Sequence, residues 1–168
     1  MGDVFISYAW DGVIDLEVEM LANWLRDNGF EADFDKQISQ QHTAINFNRM
    51  MHEAMQKYDK VIIVLSQKYK EKAEGFKDGL GTEYQMLLGD IEQSPKKYIL
   101  LSFSGRPDSI IPFALRGRDI IDFSSNEQKT SLLRKLANAT EFELNPVKVR
   151  PDLKPRASHQ YPSPVDSA

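Results

Sequence analysis

Two apolar runs, KVIIVLS at 60–66 and KYILLSF at 97–103, constrain the fold more than anything else in this chain. Neither alternates apolar with polar residues, as a strand with one wet face would. A continuous run is the signature of a strand covered on both faces, and that requires helices on each side of the sheet. Three shorter runs, DVFISYA (3–9), FEADF (30–34) and RDIIDF (118–123), supply further strands.

Helical patterns fill the intervals. Val13–Asn28 places Ile14, Val18, Leu21 and Leu25 on one face, and Gly29 sits where a left-handed cap ends a helix. After the polar loop DKQISQQHT, Thr43 is positioned as the N-cap of a helix with Ala44, Phe47, Met51, Ala54, Met55 and Tyr58 on one side. In DGLGTEYQMLLGDI (78–91), Leu80, Tyr84, Leu87, Leu88 and Ile91 form a helical stripe. Ser124 with Glu127, or Ser125 with Gln128, offers a capping box for a last helix through Leu132, Leu133 and Leu136. The segment QKYKEKAEGFKDG reads as a long lysine-rich loop. Alternation of strand and helix gives an α/β fold, a flavodoxin-like five-stranded parallel sheet of order 2-1-3-4-5 with helices on both faces.

Composition narrows the function classes. The 168 residues are 41% hydrophobic and 27% charged, enough for one domain with a real core. Net charge is −4 and no five like charges adjoin, so neither nucleic acid nor an anionic membrane is an expected direct partner. With no cysteine, thiol chemistry and thiolate metal sites are excluded, and His42, His52 and His159 have no metal-ligand spacing. No metal or cofactor is expected. No apolar run approaches the roughly 20 residues of a bilayer span, and MGDVFISYA carries no signal-peptide features, so the expected location is the cytoplasm. From Asn145 the chain holds five of its eight prolines and few large apolar residues. We divide it into a domain at 1–142 and a proline-rich linker or disordered tail at 143–168.

Ligands of such sheets bind beyond the carboxyl ends of the strands. Tyr8–Asp11, Asp33–Asp35, Ser66 and the loop before Glu83 gather there. The first turn, SYAWDG, contains neither a dinucleotide glycine fingerprint nor a P-loop. A phosphoacceptor receiver domain would need acids, an Asp and a Lys where this chain has Ser7–Tyr8, Ser66 and Phe123–Ser124.

Taken together, DVFISYAWD, GFEADFD, KVIIVLSQKY, GLGTEYQMLL and IPFALRGRDIIDF resemble the TIR superfamily, nearest its bacterial TIR and SEFIR-like branch, over residues 3–140. The resemblance implies one of two functions. Some members are adaptors that assemble through homotypic TIR–TIR contacts. Others, including bacterial immune effectors, cleave NAD+ at the nicotinamide–ribose bond, giving nicotinamide with ADP-ribose or a cyclic form. Catalysis in those depends on a glutamate in the helix after the third strand, which here is Glu83. The Trp-Cys that often precedes it is absent, and Gly81–Thr82 stand instead.

The resemblance makes NAD+ the substrate rather than a cofactor, and around it Ser7, Tyr8, Trp10, Asp35, Ser66, Asn46 and Arg49 become candidate binding residues. Trp10 or Tyr8 would stack on a base, Asp35 in the loop after the second strand would meet ribose hydroxyls, and Asn46 with Arg49 a pyrophosphate. Each also has a plainer role. Glu83 after a Thr82 N-cap would simply complement a helix dipole, Asp35 would form a turn, and the aromatics would close the core edge. The tail would lead to a sensor domain or partner subunit.

Overall fold

The computed structural model describes residues 3–34, 56–75 and 80–164, with the backbone alone at 80–83. Five parallel strands form one sheet in the order β2-β1-β3-β4-β5: β1 Val4–Ser7, β2 Ala32–Phe34, β3 Lys60–Val64, β4 Tyr98–Ser102 and β5 Ile120–Asp122. This is the flavodoxin-type order expected. Four described helices accompany them: α1 Gly12–Asp27, α2 Gln67–Gly75, α3 Leu80–Gln93 and α4 Asn126–Leu136.

The register sorts side chains into two cores. Ile6, Ile62 and Ile99 align across three strands, as do Val64, Leu101 and Ile121, and this row packs under α1 and α4 through Val18, Leu21, Leu25, Leu132 and Leu136. The alternate row, with Phe5, Val61, Ile63, Leu100 and Ile120, packs under α2 and α3 through Tyr69, Ala73, Tyr84, Leu87 and Ile91. β3 is buried along its whole length, as its unbroken apolar run required.

Local signals set the boundaries. Asp11 caps α1 by accepting from the Val13 amide at 3.1 Å. At the other end Gly29, with φ of 91°, allows Phe30 N to donate to Leu25 O at 3.0 Å and Gly29 N to Arg26 O at 3.1 Å. Those two bonds make a Schellman motif. Ser125, not Ser124, caps α4, and Gln128 donates to the Ser125 hydroxyl at 3.4 Å.

Two expectations are corrected. Residues 67–75, read as loop, form α2. The Ser66 hydroxyl accepts from the Tyr69 amide at 3.1 Å and starts the helix, while Tyr69 and Ala73, four residues apart, are buried. Helix α3 also starts earlier than a Thr82 cap would place it, so Thr82 and Glu83 lie within its first turn. Thr43 and the helix expected from it lie outside the described residues up to Gln56 and Lys57, which are helical. Residues 143–164 form no helix or strand and are all exposed. Among the described residues, no helix is long and apolar enough to cross a membrane.

Candidate functional site

The carboxyl edge is built from the strand ends. Ser7 closes β1, pairs in register with Ile63 and is buried. Because side chains alternate across a strand, Ser7 shares the face of Phe5, Ala9 and Ile63, on the α2–α3 side. Tyr8 belongs to the opposite core, is 4% exposed, and meets Phe34 edge to face with centroids 6.4 Å apart. Trp10 packs against that same opposite core and is half-buried, so of the two aromatics it presents the more surface to the edge. Ser66 is half-buried beside β3, and its hydroxyl serves the α2 cap.

Glu83 occupies the first turn of α3, one residue before buried Tyr84 and one turn before buried Leu87. Its backbone therefore stands on the same side of the sheet as Ser7 and α2. The side chain of Glu83 and the candidates Asp35, Asn46 and Arg49 lie outside the described residues. The structure thus brings the Glu83 backbone, Ser7 and Ser66 to one layer and places Tyr8 and Trp10 on the other.

Four further polar groups, Tyr84, Glu74, Ser102 and Asp122, stand outside the candidates that the sequence patterns supply. Tyr84, counted only in an apolar stripe, has its hydroxyl buried with no hydrogen-bond partner among the described residues. Burial, reinforced by Glu74, pushes its pKa up to about 12. Glu74 also accepts from the Phe113 amide at 2.8 Å, tying α2 to the loop after β4. Ser102 ends β4 fully buried and accepts from Ser104 N at 3.0 Å. Asp122 ends β5 and accepts from the Ser124 hydroxyl at 2.6 Å and amide at 3.1 Å, bonds that lower its pKa. The rule that ligands gather at strand carboxyl ends was enough to find Ser102 and Asp122.

The amino edge has a different character. Lys60, 6% exposed, donates to the Lys96 carbonyl and, at 2.7 Å, to Asn138 Oδ1. Asn138 itself adopts a φ of 55° just beyond α4. Desolvation, then the nearby charge of Lys96, lowers the Lys60 pKa. Lys60 therefore ties β3, the turn before β4 and the end of α4 together, and lines a cleft of about 780 Å3 there. Among the described residues, no group of His, Asp or Glu is arranged to hold a metal ion.

A family model for the TIR domain matches residues 4–137. Among solved structures, a prokaryotic SEFIR domain is 23% identical with a TM-score of 0.62, over 89% of this chain and all of that one. The TIR domain of the Toll-related receptor TRR-2 from Hydra magnipapillata is 18% identical with a TM-score of 0.58, over 82% of this chain and all of that one. A metazoan TIR-STING receptor from C. gigas is 15% identical with a TM-score of 0.60, and the match spans 83% of this chain but 41% of the receptor. At these identities the likeness is one of fold. No curated protein matches the sequence.

Proposed function

The chain belongs to the TIR domain family, and from that premise we propose that it is a NAD+ nucleosidase, an effector of bacterial defence acting in the cytoplasm and activated by self-assembly. The observation that carries this reading is the position of Glu83 in the first turn of α3, on the layer that also holds Ser7 and α2. Breaking the nicotinamide–ribose bond sends its electron pair to the pyridine nitrogen, so nicotinamide leaves neutral and needs no strong acid. Positive charge grows on the ribose instead. One carboxylate against the ribose hydroxyls stabilises that charge electrostatically. Water then attacks the anomeric carbon and loses a proton to give ADP-ribose, or an adenine nitrogen attacks to close a ring. Ser7, Tyr8, Trp10, Asp35, Ser66, Asn46 and Arg49 remain the proposed contacts to NAD+.

The second reading is a non-catalytic adaptor, and the exposed apolar side chains Val13, Leu16 and Met20 along α1 favour it. Nicotinamide release by the purified chain, with and without a crowding agent, separates the two. We expect release, and a loss on the order of a hundredfold or more in Glu83→Ala at unchanged melting temperature. Equal release from both proteins would move the catalytic assignment away from Glu83. No release from the wild type under any assembly condition would leave the adaptor.

A further inference from the structure

The outer face of α1 is unusual for a helix that already buries one stripe. Val13, Leu16 and Met20 recur at spacings of three and four and are 68%, 63% and 70% exposed. They run into a groove of about 530 Å3 between α1 and α4, walled by Met20, Trp24, Phe103 and Phe123. Its aromatic floor is ordered, with Trp24 and Phe103 both edge-on to Phe123 at 5.1 and 5.8 Å. The helix around this apolar strip is acidic. It carries Asp15, Glu17, Glu19 and Asp27 against Arg26 alone, and Arg26 is paired with Asp33 at 2.9 Å. Glu17 and Asp27 line the groove itself, and Lys129 lies over the Phe123 ring at 4.9 Å on its α4 wall.

The tail has the opposite character. In VKVRPDLKPR (147–156), the odd positions 147–153 hold Val, Val, Pro and Leu, while the even positions hold Lys148, Arg150, Asp152, Lys154 and Arg156. This is the period-two pattern of an extended segment that covers one side, and its charge is basic. Seven extended residues span about 23 Å, and the sixteen of α1 about 24 Å. Yet within one chain the two surfaces stand apart, with Val147, Val149 and Leu153 at 100%, 96% and 77% exposure.

We infer that residues 147–156 of one chain dock along the acidic apolar face of α1 in a second copy. Val147, Val149 and Leu153 would cover Leu16, Met20 and the groove, and the basic side chains would reach the carboxylates on its rims. Charge decides for this surface over the free edge of β5. That edge is not acidic, with Arg106, Arg118 and Lys135 beside Asp119 and Asp122, whereas α1 and its groove set four carboxylates against Arg26 and Lys129 and so better complement a basic segment. Such a contact joins two different patches, so it propagates from copy to copy. It stands whether or not the chain cleaves NAD+.

Sedimentation of the full chain over a concentration series tests it. We expect concentration-dependent assembly that weakens as salt rises. Leu16→Lys with Met20→Lys removes the groove side, and Val147→Asp with Val149→Asp removes the tail side. All four residues are exposed, so folding should be unaffected. Each double variant should weaken assembly at least about tenfold, a loss of roughly 1.4 kcal/mol. An equal mixture should recover a one-to-one pair and stop there, since one partner keeps only the tail and the other only the groove. Any of three results overturns the inference: a wild type that stays monomeric, assembly indifferent to both variants, or a mixture that recovers nothing. Groove protection that is independent of concentration would likewise overturn it, assigning the tail to its own chain.

Discussion

The two layers of this molecule share a sheet but differ in what they show to solvent. The α2–α3 layer holds the polar candidates: the Glu83 backbone, Ser7, Ser66 and the buried Tyr84 hydroxyl. Opposite it, the α1–α4 layer keeps its aromatics packed together and presents an apolar strip flanked by the carboxylates of α1 on one side and Lys129 on the other. Because a strand sends successive side chains to opposite faces, each layer can diverge without disturbing the other's packing. One fold can therefore carry chemistry on one side and assembly on the other.

The strongest way to break this comparison uses two adjacent residues of β3. Ile62 and Ile63 are both fully buried, one in each core. Replacing either with Ala should destabilise the fold by about 2–5 kcal/mol, through lost burial and the cavity left behind. Chemical denaturation should find the two costs similar. Below the melting range their functional effects should part: Ile63→Ala lowers nicotinamide release, and Ile62→Ala weakens self-association. If both variants lose the same property, the layers are not separate in function.

Most of this architecture was legible because it rests on burial. The unbroken runs at 60–66 and 97–103 could only be central strands, and β3 and β4 are buried throughout. Helix α2 was not legible. Its nine residues include Lys68, Lys70, Lys72, Glu71 and Glu74, and only Tyr69 and Ala73 are buried. A short helix of that composition depends on tertiary contact and on the Ser66 cap rather than on its own pattern. The division of Ser7 from Tyr8 could have been read by counting alternate residues from Phe5. Grouping them by the strand edge alone concealed it.

That division gives a second, smaller test. Ser7→Ala removes a hydroxyl on the Glu83 layer, and on the proposed function kcat/KM for NAD+ should fall about tenfold, the equivalent of one hydrogen bond. Tyr8→Phe alters the opposite layer, where the ring packs on Phe34, and kcat/KM should change less than about twofold. The Tyr8 ring proposed to stack on a base survives in Tyr8→Phe, so an effect larger than that of Ser7→Ala would mean that the Tyr8 hydroxyl, rather than Ser7, makes the polar contact to NAD+.

Tyr84 offers the smallest effect and the finest test of the α2–α3 layer. Its hydroxyl is buried without a hydrogen-bond partner among the described residues, so Tyr84→Phe should leave stability at neutral pH unchanged or raise it by up to about 1 kcal/mol. The pH dependence has a definite sign. The folded pKa is raised from 10.0 to about 12, so the native state holds this proton more tightly than the unfolded chain. That contribution is complete below pH 10 and is lost as pH rises through 12, amounting to on the order of 1 kcal/mol by pH 11. Phe cannot ionise, so the variant's stability advantage should widen between pH 10 and 12, as denaturant titrations across that range would record. A variant less stable than the wild type at pH 7 would instead mean that the hydroxyl has a partner in the intact molecule. The polar side of the sheet would then be more fully bonded than the described contacts indicate.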